Sequence, residues 1–155
     1  MSTQEYCKRW FMAKQRPIDV MTAEDALKLH QSDEAYTVVI KDSEGSPRNL
    51  VDIANDTYLV SFLDDLKRVY LAYQFNVVEG KLFLAFATYH EHDAETGKEI
   101  EKSVYAFKPD GSLYIEKRDY ITSEVATANN SIDVSGNWES LPKFGCYESI
   151  TKENR

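Results

Sequence analysis

The sequence predicts an α+β fold, with N-terminal helices packed on a curved antiparallel β-meander. Two observations carry that expectation. Between Arg68 and Arg118 four segments rich in β-branched and aromatic residues follow one another with only short turn signals between them. Ahead of them, apolar residues recur near helical spacing in two stretches that each carry a capping residue and a stop.

Taken in order, Thr3 to Gln15 reads as the first helix. Thr3 can cap it, Tyr6, Cys7, Trp10 and Phe11 form its stripe, and Pro17 ends it, leaving Lys8, Arg9, Lys14 and Arg16 outward. A second helix spans about Ala23 to Gln31, capped by Thr22 with Asp25 three residues on, and turns Ala26 and Leu27 inward, with His30 read as a structural or exposed residue on it rather than a catalytic one. Tyr36 to Lys41 alternates as a strand, Asp42 to Pro47 is loop, and Leu50 to Ile53 is a further short strand. Thr57 to Arg68 fits either period; a strand followed by a turn at Asp64-Asp65 is the preferred reading.

The hairpin Val69–Val78/Lys81–Glu91 turns at Glu79-Gly80. Counting outward pairs Val78 with Lys81, Val77 with Leu82, Phe75 with Leu84, Tyr73 with Phe86 and Leu71 with Thr88. The reverse face pairs Ala72 with Ala87, Tyr70 with Tyr89 and Arg68 with Glu91. Lys108-Pro109-Asp110-Gly111 is a second turn, expected to set Tyr105 opposite Tyr114. Between them, the turn at Asp93–Lys98 is expected to carry a bulge. The resulting shift in parity groups Val104, Ala106, Leu113 and Ile115 with Leu82, Leu84 and Phe86, and gathers the tyrosines on the other face. Tyr120 to Ala126 could extend the sheet, and Asn129-Asn130-Ser131 reads as loop. From Ser135 to Tyr147, glycines and a proline preclude a long element, yet Trp138, Leu141, Phe144 and Tyr147 are too apolar for a loose tail. This segment reads as a brace across one end of the sheet.

Residues 1–155 are expected to form a single domain, since no repeat, low-complexity tract or linker divides them. That length buries about 70% of the unfolded surface without help from a disulfide or metal. Cys7 and Cys146 stand far apart and outside any metal-binding spacing, so two free thiols are expected. No stretch approaches the roughly 18 apolar residues of a membrane span, and no signal-peptide pattern opens the chain; a cytoplasmic protein without a membrane partner is expected. The net charge of −8 argues against nucleic acid, whose phosphates require a basic face, and permits a basic protein partner.

His90 and His92 share a face of a strand, and with Asp93 or Glu101 they resemble a ligand set. The run lies at an exposed, charged hairpin end where such residues are routine, so neither metal nor cofactor is expected. No nucleophile elbow or phosphate-cradling glycine loop is present, and the neighbouring Asp64 and Asp65 point apart on a strand, so no enzyme is expected. The tyrosine face (Tyr70, Tyr89, Tyr105, Tyr114) is a second core layer, a pocket wall or an interface. The acidic run Glu91, Asp93, Glu95, Glu99, Glu101 is a solvated tip or a surface that steers a basic partner.

The segment Phe107–Glu116, with Asn137-Trp138-Glu139 and the Pro142, Phe144, Gly145, Tyr147, Glu148 pattern, resembles small bacterial immunity proteins encoded beside secreted polymorphic or contact-dependent toxins. The resemblance covers about the last third of the chain. It implies a cytosolic, non-enzymatic protein that occludes the active site of a cognate, basic toxin domain. On the residue reading the binding candidates are Glu91, His92, Asp93, Glu95, Glu99, Glu101, Tyr89, Tyr105 and Tyr114. The alternatives are a small-ligand or enzymatic domain with a tyrosine-lined pocket in a cupped sheet, or a structural subunit.

Overall fold

The computed structural model describes residues 2–155 and is almost wholly one antiparallel sheet, with 55% of the chain in strands and 8% helical. Strands β1 (Thr3–Phe11) and β2 (Arg16–Met21) form a hairpin, followed by α1 (Ala23–Gln31). Then come β3 (Tyr36–Lys41), β4 (Pro47–Ala54), β5 (Thr57–Leu63), β6 (Val69–Val78) and β7 (Lys81–His92). The meander continues through β8 (Glu99–Phe107), β9 (Ser112–Asp119) and β10 (Val125–Ser131), before a short β11 (Trp138–Ser140). From β3 to β10 each strand pairs with its neighbour in sequence; β1 lies beside β3 with β2 outside it, and β11 pairs with β7.

The expected α+β class is therefore overturned. Among the described residues α1 is the one α-helix, and the predicted first helix is strand β1. The cause is burial on two sides. Tyr6 and Cys7 are both buried, but Tyr6 joins the main core while Cys7 joins Val39, Leu50 and Leu63 on the opposite face. Adjacent apolar residues on a strand covered from both sides imitate a helical stripe, and pairing with β3 decides the outcome. The second helix is where expected, with the Thr22 hydroxyl accepting from the Asp25 N–H at 3.1 Å and Ala26 fully buried.

One face of the sheet carries the main core, from Val38, Val51 and Val60 to Tyr73 and Phe75. Ala26 and Leu29 of α1 cover part of it, and Phe144, Tyr147 and Ile150 cover the rest. Of the expected brace, Phe144 and Tyr147 lie on this core and the chain runs further along it, whereas Trp138 packs on Phe83 in a separate cluster and Leu141 is exposed. Tyr73 donates to the Glu153 carbonyl at 2.7 Å, and the Arg155 guanidinium stands 5.1 Å from the Phe75 ring centre. On the opposite face the β1–β2 hairpin covers the smaller Cys7 cluster with Trp10, and the Gln15 side chain donates to the Leu66 carbonyl at 2.9 Å.

The β6–β7 register holds from Val78/Lys81 through Phe75/Leu84, with Glu79 and Gly80 both at positive φ (51° and 76°) in the turn. A bulge at Ala85 then shifts it: Tyr73 faces Ala87, Ala72 faces Thr88 and Leu71 faces Tyr89, so the predicted Tyr73/Phe86, Leu71/Thr88, Ala72/Ala87 and Tyr70/Tyr89 pairs do not form. The Asn137 amide donates to the Leu84 carbonyl at 3.0 Å beside the bulge. Arg68 pairs with Asp64 rather than Glu91, at 2.9 Å.

The β7–β8 parity shift is also present, made by Ile100 between the Glu91/Glu101 and His92/Glu99 pairs. It gathers Phe86, Val104 and Ala106 on one side, whereas Leu82 and Leu84 go to the core side. After Lys108, the loop is Pro109–Gly111, closed by Lys108 N–H to the Ser112 carbonyl. This three-residue loop sets Tyr105 opposite Ile115 and Ala106 opposite Tyr114, a one-residue correction that sends Tyr105 and Tyr114 to opposite faces and returns Leu113 and Ile115 to the side of Tyr105. Asn129-Asn130-Ser131, expected as loop, is strand. Every residue of β10 is exposed, so no core pattern marks it in the sequence.

The two ends of the sheet differ. β2 carries Pro17, which has no N–H to offer, and Asp19 at φ 53°, which breaks its extended path. β10 has neither proline nor charge.

Candidate functional site

β8, β9 and β10 extend past the part of the sheet that α1 and the C-terminal segment cover. On the core-side face of this wing, Glu91, Glu101 and Asp119 stand in one cross-strand row. The next row is Tyr89, Ser103 and Lys117, and the one after it Ala87, Tyr105 and Ile115. Tyr89 is 46% exposed and meets Tyr105 edge-to-face at 5.8 Å. Lys117 reaches Glu101 at 3.3 Å and partly offsets the acidic row.

The structure therefore brings together Glu91, Glu101, Tyr89 and Tyr105 and separates the other candidates from them. His92, Glu99 and Tyr114 belong to the other face, where His90 Nδ1 engages the Glu99 carboxylate and Tyr114 lies near Phe86. Asp93 and Glu95 are at the tip of the β7–β8 turn. Asp93 is committed there: it accepts from the N–H groups of Thr96 and Glu95 at 2.9 and 2.8 Å, which hold its carboxyl below the usual range. Asp64 and Asp65 likewise serve structure, Asp64 in the turn to Arg68 and Asp65 against Arg48 at 2.7 Å.

Among the described residues no group of three or more His, Cys, Asp or Glu side chains is arranged to hold a metal, and no helix is long and apolar enough to cross a membrane. Cys7 is buried, and burial lifts its thiol to about 11; Cys146 is exposed, and both are free. Tyr70 does not join the exposed tyrosines. With Tyr73 it lies under the C-terminal segment, and burial pushes both phenols up to about 12.

No known family, curated protein or solved structure matches the chain.

A concavity lies at the other end of the strands. It holds about 220 Å³ between the end of α1 (His30, Asp33, Glu34), the β4–β5 turn (Asn55, Asp56) and the sheet floor formed by Tyr36 and Tyr58. His30 Nδ1 lies 2.9 Å from the Tyr36 hydroxyl, which lies 3.3 Å from that of Tyr147. Burial raises the Tyr36 phenol far above its ordinary value, and it titrates nowhere near neutrality. The sequence reading places no site here. The available signal was the polar pair Asp33-Glu34 and the turn Asn55-Asp56, each bordering the same end of a core strand.

Proposed function

We propose that this chain is an immunity-type inhibitor: a cytoplasmic, non-enzymatic protein that binds a basic toxin domain and occludes its active site. The observation that carries the reading is the wing face where Glu91 and Glu101 adjoin Tyr89 and Tyr105, Asp119 beside them being held by the N–H groups of Ile121 and Thr122. Such a face unites the two things an occluding surface uses. Carboxylates speed encounter with a positive partner, and tyrosines supply contact area at small entropic cost. The overall charge of −8 acts in the same sense.

The test is co-expression with the domains encoded by the neighbouring reading frames, scored for toxicity with and without this chain. The expected result is protection from toxicity and a one-to-one complex whose association slows as salt rises. Paired Glu91→Lys and Glu101→Lys substitutions should slow association at low salt and leave the melting temperature within a few degrees. Absence of both protection and complex overturns the reading; tight binding indifferent to salt removes the steering role alone.

A second reading is a small-ligand domain. It rests on the cavity floored by Tyr36 and Tyr58 rather than on the tyrosines expected from sequence.

A further inference from the structure

The cavity at the end of α1 has an unusual electrostatic lining. Asp33, Glu34 and Asp56 border it, none forms an ion pair among the described residues, and no lysine or arginine lines it. Carboxylates at a surface are ordinary, and alone they would mean nothing.

The floor supplies the second observation. Tyr58 is 94% buried by the complement of its 6% exposure, yet its hydroxyl makes no hydrogen bond with another described residue. Among the described residues the one fully enclosed side-chain polar atom without a partner is Trp10 Nε1, so the Tyr58 hydroxyl is not sealed in the core; it opens on the cavity that the residue lines. Tyr36, beside it, has its hydroxyl committed to His30 and Tyr147. The floor thus presents one uncommitted hydroxyl beneath a negative rim.

We infer that this cavity binds a single organic cation bearing N–H donors, a guanidinium or an alkylammonium group. Carboxylates match its charge, and the Tyr58 oxygen accepts a donated hydrogen. Size narrows the class. About 220 Å³ is below the roughly 300 Å³ at which pockets for drug-sized ligands begin, and it suits a small amine or one basic side chain. The group can come from a free amine or from an arginine or lysine of a protein. The site is distant from the wing face, and the inference stands without the inhibitor reading.

The experiment is a ¹H–¹⁵N titration of the full chain with agmatine and, separately, with Nα-acetyl-arginine methylamide, with tetramethylammonium as a cation lacking N–H donors. Saturable shifts centred on the amides of Asp33, Glu34, Asn55 and Asp56 are expected, with tetramethylammonium binding more weakly. A hydrogen bond to a charged group contributes about 1.5–3 kcal/mol, so Tyr58→Phe and Asp56→Asn should each weaken binding about tenfold or more. Unchanged melting temperatures show that each variant is folded; for a destabilised variant, Glu34→Gln at the rim provides the same readout. Preference for agmatine assigns a free amine, and equal binding of both probes assigns a protein side chain. No saturation by either probe, or binding indifferent to every substitution, overturns the inference.

Discussion

The covered part of the sheet, β3 to β7, and the wing, β8 to β10, are built from the same strand-and-turn grammar but spend their side chains differently. In β5, Val60, Ser61, Phe62 and Leu63 are all buried in succession, whereas every residue of β8 is half-buried and every residue of β10 is exposed. Stability is concentrated where α1 and the C-terminal segment close the core. The wing is held by backbone pairing and a few side-chain contacts, which leaves its surfaces available for a partner. A rigid base and a lightly held extension are a workable division between folding and contact.

The largest expected effect tests the base. Tyr147→Ala removes a side chain 99% buried by the complement of its 1% exposure, and should cost about 3–5 kcal/mol in urea denaturation. Tyr114→Ala in the wing, at 40% exposure, should cost less than about 1 kcal/mol. Equal losses would abolish the distinction. Next, Asn137→Ala strips the Leu84 carbonyl of its side-chain donor and should cost about 1–3 kcal/mol. A neutral result would mean that the Ala85 bulge needs no such support.

Hydrogen exchange sharpens the contrast strand by strand. Amides of β9 and β10 should exchange through local opening, well below the free energy that protects β4 to β6. Uniform protection would make wing and base a single cooperative unit.

The smallest effect concerns Asp52. Burial lifts its carboxyl above the ordinary range, and the hydrogen bond from the Thr37 hydroxyl opposes that rise only in part. The folded chain therefore holds this proton more tightly than the unfolded one. The site's contribution is greatest below the unfolded pKa and declines as pH rises through the folded value. Asp52→Asn carries no charge, so its melting temperature should gain on the natural protein as pH rises from 4 to 7 (about the carboxylate range upward). A variant that loses ground to the natural protein over that interval would contradict the assignment.

Much of the base was legible in the sequence because local signals and tertiary packing agree there. Thr22 and Asp25 mark the start of α1, Tyr36 to Lys41 is the expected strand although its first four residues are all buried rather than alternating, and Glu79-Gly80 fixes the first pairs of its hairpin. Legibility ends where a distant residue decides. The Ala85 bulge has Asn137 beside it, and the two-sided burial of Tyr6 and Cys7 comes from layers supplied by opposite ends of the chain. The acidic and aromatic candidates were identifiable by type, but their division between faces depends on Ile100 and on a loop of three residues rather than four. The Asp33–Asp56 cavity needed the path of the whole meander, which brings the end of a helix to a turn of the sheet.

The unequal termini of the sheet have a consequence for assembly. An extended strand from elsewhere meets a fence at Pro17 and Asp19 but an open row of amides along Val125 to Ser131. Lengthening by edge pairing is consequently one-sided. Two molecules joined through that row would satisfy each other and stop at a closed pair, because neither retains a second receptive border from which a fibre could grow.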